Sequence, residues 1–185
     1  MITLRQTFND IFNDFPRGKS TILSFIKNYY TSPEFRVLLN HRIGKYFYHR
    51  GDVLSILISS YYKNRLITKR NCDISYKSYL GSNIRFPHPL GIVIGEGVVI
   101  GNNCRIQSHS FICELVTIGD DCFIGHGVMF INDTFSDGKP AGGDHSKWKE
   151  TRIGNHVSIG SNATILPVSI CDNVVIGAGA VVTKD

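Results

Sequence analysis

Isoleucine or phenylalanine returns every six residues through the back of this chain, a period that neither a helix nor an ordinary hairpin sheet has. Ile94, Ile100, Ile106, Ile112, Ile118, Ile124 and Phe130 keep the beat without a miss. Ile74, Leu80 and Phe86 precede them, and Ile153, Ile159, Ile165, Ile170, Ile176 and Val182 follow. Many are followed by glycine (Gly81, Gly95, Gly101, Gly119, Gly125, Gly154, Gly160, Gly177), and the fifth place of the unit is small or β-branched, as at Val98, Cys104, Ser110, Val157 and Ala163. A six-residue period is the repeat of a parallel β-helix. Each hexad makes one flat side of a triangular prism, the branched residue points into the core, and glycine or asparagine permits the corner. Three hexads make a coil, so the sixteen hexads of residues 72–185 predict roughly five coils.

Residues 1–71 follow a different rhythm and predict a small α-helical region. Ser32, Pro33 and Glu34 read as a cap, a first-turn proline and an acidic start, after which Phe35, Leu38, Leu39, Ile43 and Phe47 recur at helical spacing. Ile22, Phe25 and Ile26 predict a helix before it, and Val53, Leu54, Ile56, Leu57 and Tyr61 one after it. This front holds twelve Lys and Arg against four Asp and Glu, whereas residues 72–185 hold eight against eleven. The basic residues (Arg36, Arg42, Lys45, Arg50, Lys63, Arg65, Lys69, Arg70) are scattered at helical spacings, which suits a solvated helical face or a subunit contact better than a nucleic-acid surface, with an anionic membrane surface a weaker reading. The five cysteines are odd in number and show no CxxC pair, a pattern of reduced thiols in a cytoplasmic protein with no metal site. No N-terminal segment has the make-up of a secretory signal, and the longest apolar stretch, near Leu54 to Ile58, is far below the ~20 residues of a membrane helix.

Function is to be sought where the period fails. Between Phe86 and Ile94 two extra residues bulge out and carry His88 between Pro87 and Pro89; between Phe130 and Ile153 a polar excursion, centred on residues 136–152, interrupts the array; and one residue is missing near Pro167.

The breaks carry a resemblance. Asp73 opens the segment DIS, and PHPLGIVIGEG places His88 fifteen residues later. This resembles the serine acetyltransferase branch of the hexapeptide acyltransferases, which are left-handed parallel β-helices. GGDHSKW (Gly142 to Trp148) is similar to that branch's acceptor loop, whereas FIND (Phe130 to Asp133), SIGSNATILP and IGAGAVVTKD resemble enzymes that acylate amino sugars of surface glycans. Pro87 stands where the serine branch has an acidic residue, which argues against free serine as acceptor.

The resemblance implies acetyl transfer from acetyl-CoA, with His88 as general base and Asp73 as the carboxylate that orients it. It implies acceptor contacts at Asn132, Asp144 and His145, and an extended pantetheine arm along the prism near Ser161 and Ala178, with Lys184 available to a phosphate. The coenzyme finds no P-loop and no dinucleotide-binding glycine pattern. A single prism with a projecting loop offers no deep pocket, so the expected assembly is a homotrimer, extended to a dimer of trimers if the N-terminal helices pair. The expected acceptor is a sugar hydroxyl of a surface polysaccharide or its precursor. Serine is the alternative, and a non-catalytic β-helix scaffold a third reading.

Overall fold

A computed structural model of the chain describes residues 3–15 and 21–185. The helical reading of residues 16–20 lies outside the described residues. Four helices come first: α1 (Leu4–Asn13), α2 (Ile22–Thr31), α3 (Pro33–Tyr48) and α4 (Val53–Arg70). Each starts on a side chain that accepts from a backbone N–H of the first turn. Ser32 caps α3 with Pro33 in the first turn, as the sequence predicts, and Asp52 caps α4.

From Cys72 the chain winds into a mainly β, left-handed parallel solenoid. Its strands are β1 (Cys72–Ile74), β2 (Tyr79–Leu80), β3 (Ile92–Ile94), β4 (Val99–Ile100), β5 (Arg105–Ile106), β6 (Phe111–Ile112), β7 (Val116–Ile118), β8 (Phe123–Ile124), β9 (Met129–Phe130), β10 (Thr151–Ile153), β11 (Ser158–Ile159), β12 (Thr164–Ile165), β13 (Ser169–Ile170), β14 (Val175–Ile176) and β15 (Val181–Val182). They fall onto three faces, in rotation from β3 onward: a first of six strands (β1, β3, β6, β9, β12, β15), a second of five (β2, β4, β7, β10, β13) and a third of four (β5, β8, β11, β14), with a single Arg85–Arg105 bridge in place of a strand on the third face of the first coil. The solenoid thus runs to a sixth strand on its first face, slightly longer than the five coils the hexads suggest.

The register explains the period. Ile100 pairs with Ile118 and Ile118 with Ile153 on the second face, and Ile106 with Ile124 and Ile124 with Ile159 on the third, so each hexad residue stacks on its counterpart one coil away. Ile100, Ile106, Ile124 and Ile159 are wholly buried. Each such side chain contributes roughly 1.5–3 kcal/mol of burial, which short two- and three-residue strands could not supply by pairing alone.

The glycines after the isoleucines have a different role from the corner role read from the sequence. An added Cβ on Gly101 would lie 2.6 Å from the carbonyl of Gly119, and one on Gly119 would lie 2.7 Å from the Gly154 oxygen. Coils approach too closely there for any side chain. The left-handed corners fall two residues later. On the edge between second and third faces they are Asn83, Asn103, Asp121, His156 and Asn173, with φ of 56°, 58°, 57°, 56° and 62°. Asp121→Val is therefore expected to destabilise by about 1–2 kcal/mol and Asp121→Gly by much less, because only the β-branched side chain meets the left-handed penalty. Thermal melts of the two variants check this.

The helices clamp the first coil through buried polar contacts. Arg42 of α3 is 4% exposed. It donates to the carbonyls of Leu80 at 2.8 Å and Gly81 at 2.6 Å, and its Nε donates to Asp14 at 2.9 Å. At Arg42 this corrects the reading of the basic residues as a solvated helical face or a subunit contact. Arg42 is buried, and Lys45, half-buried, donates to the Ser78 carbonyl and is pushed down to about 8, first by desolvation and then by Arg42. Glu34, read as a first-turn acid, is buried as well; it holds the Arg85 guanidinium and accepts from the Phe86 N–H at 3.0 Å. It thereby fixes the backbone just before the His88 bulge. No helix of the described residues is long and apolar enough to cross a membrane.

Candidate active site

The His88 bulge hangs on the edge between third and first faces. Corner residues stack along that edge as Asn71, Gly91, His109, Gly127, Asn162 and Gly179, all at positive φ. The N–H groups of His109, Gly127, Asn162 and Gly179 donate to the carbonyls of Leu90 (2.7 Å), Ser108 (2.9 Å), His126 (2.7 Å) and Ser161 (2.8 Å). Leu90, Ser108, His126 and Ser161 therefore form one row down the edge, with Ala178 next in sequence order before Gly179. Ser161 and Ala178 lie toward the C-terminal end of this row and His88 at its N-terminal end.

His88 is exposed, between exposed Pro87 and buried Pro89. Its ring makes no hydrogen bond among the described residues and stacks near His126, with centroids 6.1 Å apart and planes 29° apart. His126 Nδ1 lies 2.9 Å from Ser108 Oγ. Asp73 sits on β1 of the first face, facing outward. No hydrogen bond joins it to His88. Its carboxylate accepts from Lys63 of α4, whose ammonium also donates to the Ile74 carbonyl at 3.0 Å. The structure thus brings His126, itself held to Ser108, beside His88, and Lys63 to Asp73. His126 was not singled out from the sequence, although its place directly before Gly127, a positive-φ corner, puts it on this edge.

The loop leaves a different edge. It connects β9 on the first face to β10 on the second. Its neck is closed by the Asp133–Trp148 bridge and by the Lys149 N–H donating to the Asn132 carbonyl at 2.9 Å. Asn132 also donates from its side chain to the Glu114 carbonyl at 3.3 Å. Asp133 accepts from the N–H groups of Phe135 and Ala141 at 2.9 and 2.7 Å, which hold its carboxyl below the usual range. Asp144 caps a single turn, His145–Lys147, and the hydroxyl and N–H of Ser146 hold its carboxyl low in the same way. The exposed His145 ring stacks on Trp148 at 4.0 Å, so Trp148 anchors the loop tip through His145. Lys184 is exposed, and Asp185 beside it accepts from the Ser169 N–H at 2.6 Å. Within the chain, the loop that carries Asp144 and His145 leaves one edge of the prism, and His88, Ser161 and Ala178 belong to another.

A parallel prism of stacked hexads, with a histidine bulge on one edge and a polar loop leaving another, is the architecture of a hexapeptide-repeat solenoid. The family profile described as the hexapeptide repeat of succinyl-transferase matches residues 80–108, 115–129 and 150–184. Over most of its length the chain is similar in sequence to serine acetyltransferases. It is 30% identical to the serine acetyltransferase of Synechococcus elongatus over 185 residues, covering 99% of this chain and 62% of that protein. It is 27% identical to the serine acetyltransferase of Mycobacterium tuberculosis over 153 residues, covering 82% of this chain and 54% of that protein. The bifunctional protein GlmU of Latilactobacillus sakei is 34% identical over 103 residues, 50% of this chain and 20% of that protein. Among solved structures, Neisseria gonorrhoeae serine acetyltransferase in complex with serine superposes with a TM-score of 0.69 at 20% identity, over 92% of this chain and 66% of that one. The chain spans less than two thirds of the length of these curated relatives.

Proposed function

We propose that the protein is an acetyl-CoA-dependent O-acetyltransferase with His88 as its general base. The observation that carries the reading is the placement of His88. Its ring is exposed and free of hydrogen bonds among the described residues, on the same edge that, toward the C-terminus, presents Ser161 and exposed Ala178. A pantetheine arm extended along that edge, with Lys184 near a phosphate, delivers its thioester toward the histidine. A thioester is already activated, so the protein has mainly to align it and remove a proton. The acceptor hydroxyl oxygen attacks the thioester carbonyl carbon while its proton passes to the His88 imidazole. The tetrahedral adduct then expels the CoA sulfur, which leaves as thiol with the proton returned by the imidazolium. Asp73 is the carboxylate assigned to stabilise that imidazolium, and Lys63 must release it for the two to bond directly.

The assembly proposed is a homotrimer. Asp144, His145 and Asn132 belong to an edge that does not carry His88, so they serve acceptor binding only across a boundary between chains.

For the acceptor, the curated relatives favour serine over the sugar hydroxyl inferred from the sequence. The sugar reading stands on Pro87, exposed beside His88 where a carboxylate would have met an ammonium group. A thiol-release assay with acetyl-CoA against L-serine, amino sugars and neutral sugars tests both. L-Serine is expected to stimulate release. A specificity constant at least tenfold higher for a sugar would restore the sugar reading, and no stimulation by any hydroxyl acceptor would sink O-acetylation.

A further inference from the structure

A cleft of about 320 Å³ opens between the helical region and the His88 bulge. Its walls are the start of α3, the end of α4, and the segment Pro87 to Leu90; its charged lining residues are Arg36, Lys69 and Arg70, and no Asp or Glu lines it. Arg36 is partly committed, since one guanidinium nitrogen donates to the carbonyls of Tyr29 and Tyr30 at 3.0 and 2.9 Å and so terminates α2. Arg70 is not committed. Its half-buried side chain makes no hydrogen bond and no ion pair among the described residues, and its Nε is buried without a partner. Burial disfavours its charge, and Arg65 and Arg36 add repulsion. A guanidinium carries five donors in a planar fork that matches carboxylate or phosphate oxygens. To hold one half-buried beside two other cations, with no counter-charge, costs free energy that an anionic ligand would offset.

We infer that this cleft binds an anionic group of the acceptor, carboxylate or phosphate, on Arg70 and Arg36, and so presents the acceptor's hydroxyl to His88. The inference rests on the proposed acetyl transfer and narrows its acceptor to molecules that carry negatively charged oxygens, excluding neutral sugars. The direction of approach is consistent with the site. The coenzyme edge runs from His88 toward the C-terminus, and the cleft lies on the opposite, helical side of the same residue.

The test is Arg70→Gln, with Arg70→Lys as the conservative variant, read three ways. The Arg70 side chain makes no hydrogen bond or ion pair among the described residues, so Arg70→Gln should leave the melting temperature unchanged or higher; a structural role would lower it. Calorimetric titration with inorganic pyrophosphate and with L-serine, without coenzyme, should show binding of at least one to the natural protein. That binding should weaken about tenfold or more in Arg70→Gln, the loss expected for a charge-assisted pair, and less in Arg70→Lys. Binding of pyrophosphate alone identifies a phosphorylated acceptor, and binding of serine identifies a carboxylate. In turnover, the acceptor KM should rise by a similar factor while the KM for acetyl-CoA stays within about twofold. Unchanged binding of both anions in Arg70→Gln overturns the inference, as does an effect confined to the acetyl-CoA KM, which would assign the cleft to the coenzyme. Arg70-dependent anion binding with no acetyl-CoA turnover on any acceptor would keep the anion site and discard the acetyltransferase reading.

Discussion

His88→Ala should lower kcat by ~10²-fold or more with saturating acetyl-CoA and acceptor, the contribution a positioned general base usually makes. The same variant should melt with the natural protein. The His88 side chain is exposed, makes no hydrogen bond, and sits in a bulge whose backbone is held from elsewhere, by Glu34 on the Phe86 N–H and by the Asn71 carbonyl on the Gly91 N–H at 2.8 Å. A loss of activity without loss of stability therefore isolates chemistry from folding. Asp73→Asn should be milder, because the carboxylate is tied to Lys63 and its removal leaves the imidazole in place. Near-normal turnover in His88→Ala would move the base elsewhere. His126→Ala is then the next variant to measure, since its ring is the one beside His88 and its Nδ1 already meets Ser108.

The solenoid was legible because its core repeats every six residues, a large apolar residue with a small or branched one two places before it. Ile100, Ile118 and Ile153 stack face to face, and burial at that interval leaves a trace in the sequence that no other fold produces. The placement of His88 in a bulge was legible for the same reason, as two residues beyond the period. Where the bulge leads was not. The histidine reaches past His109's coil to His126, and the length of an insertion does not say which way it folds along an edge. The docking of helices on the prism was hidden as well. Arg42, Glu34 and Lys45 look like surface charges in a helical pattern, and only the approach of α3 to Leu80, Gly81 and Phe86 buries them. Arg70 carried no signal of its own, being the last residue of a basic helix. Its meaning comes from Arg36, distant in sequence, and from the absence of any carboxylate in the cleft they share.

Complementation between two inactive variants should establish where the active site lies. The loop of Asp144 and His145 leaves the edge between first and second faces, and His88 lies on the edge between third and first. If a site forms where one chain's loop meets the next chain's histidine, a His88→Ala chain still supplies a sound loop. A chain with Asp144 and His145 both changed to alanine still supplies a sound histidine. Each homotrimer is inactive, but a trimer assembled from both contains junctions at which the intact loop faces the intact His88. Random mixing of equal amounts around a closed three-fold ring makes about one junction in four of this kind, so about a quarter of natural activity should return after denaturing and refolding the two together. Neither substitution touches the core: His88, Asp144 and His145 are all exposed, and the neck of the loop is held by Asn132, Asp133 and Lys149, which both variants retain. Co-refolding that restores no activity, although each variant alone forms a trimer by light scattering, would mean that histidine and loop do not share a site between chains. A His88→Ala chain that is inactive beside a loop variant of full activity would point the same way, and would remove Asp144 and His145 from the acceptor site.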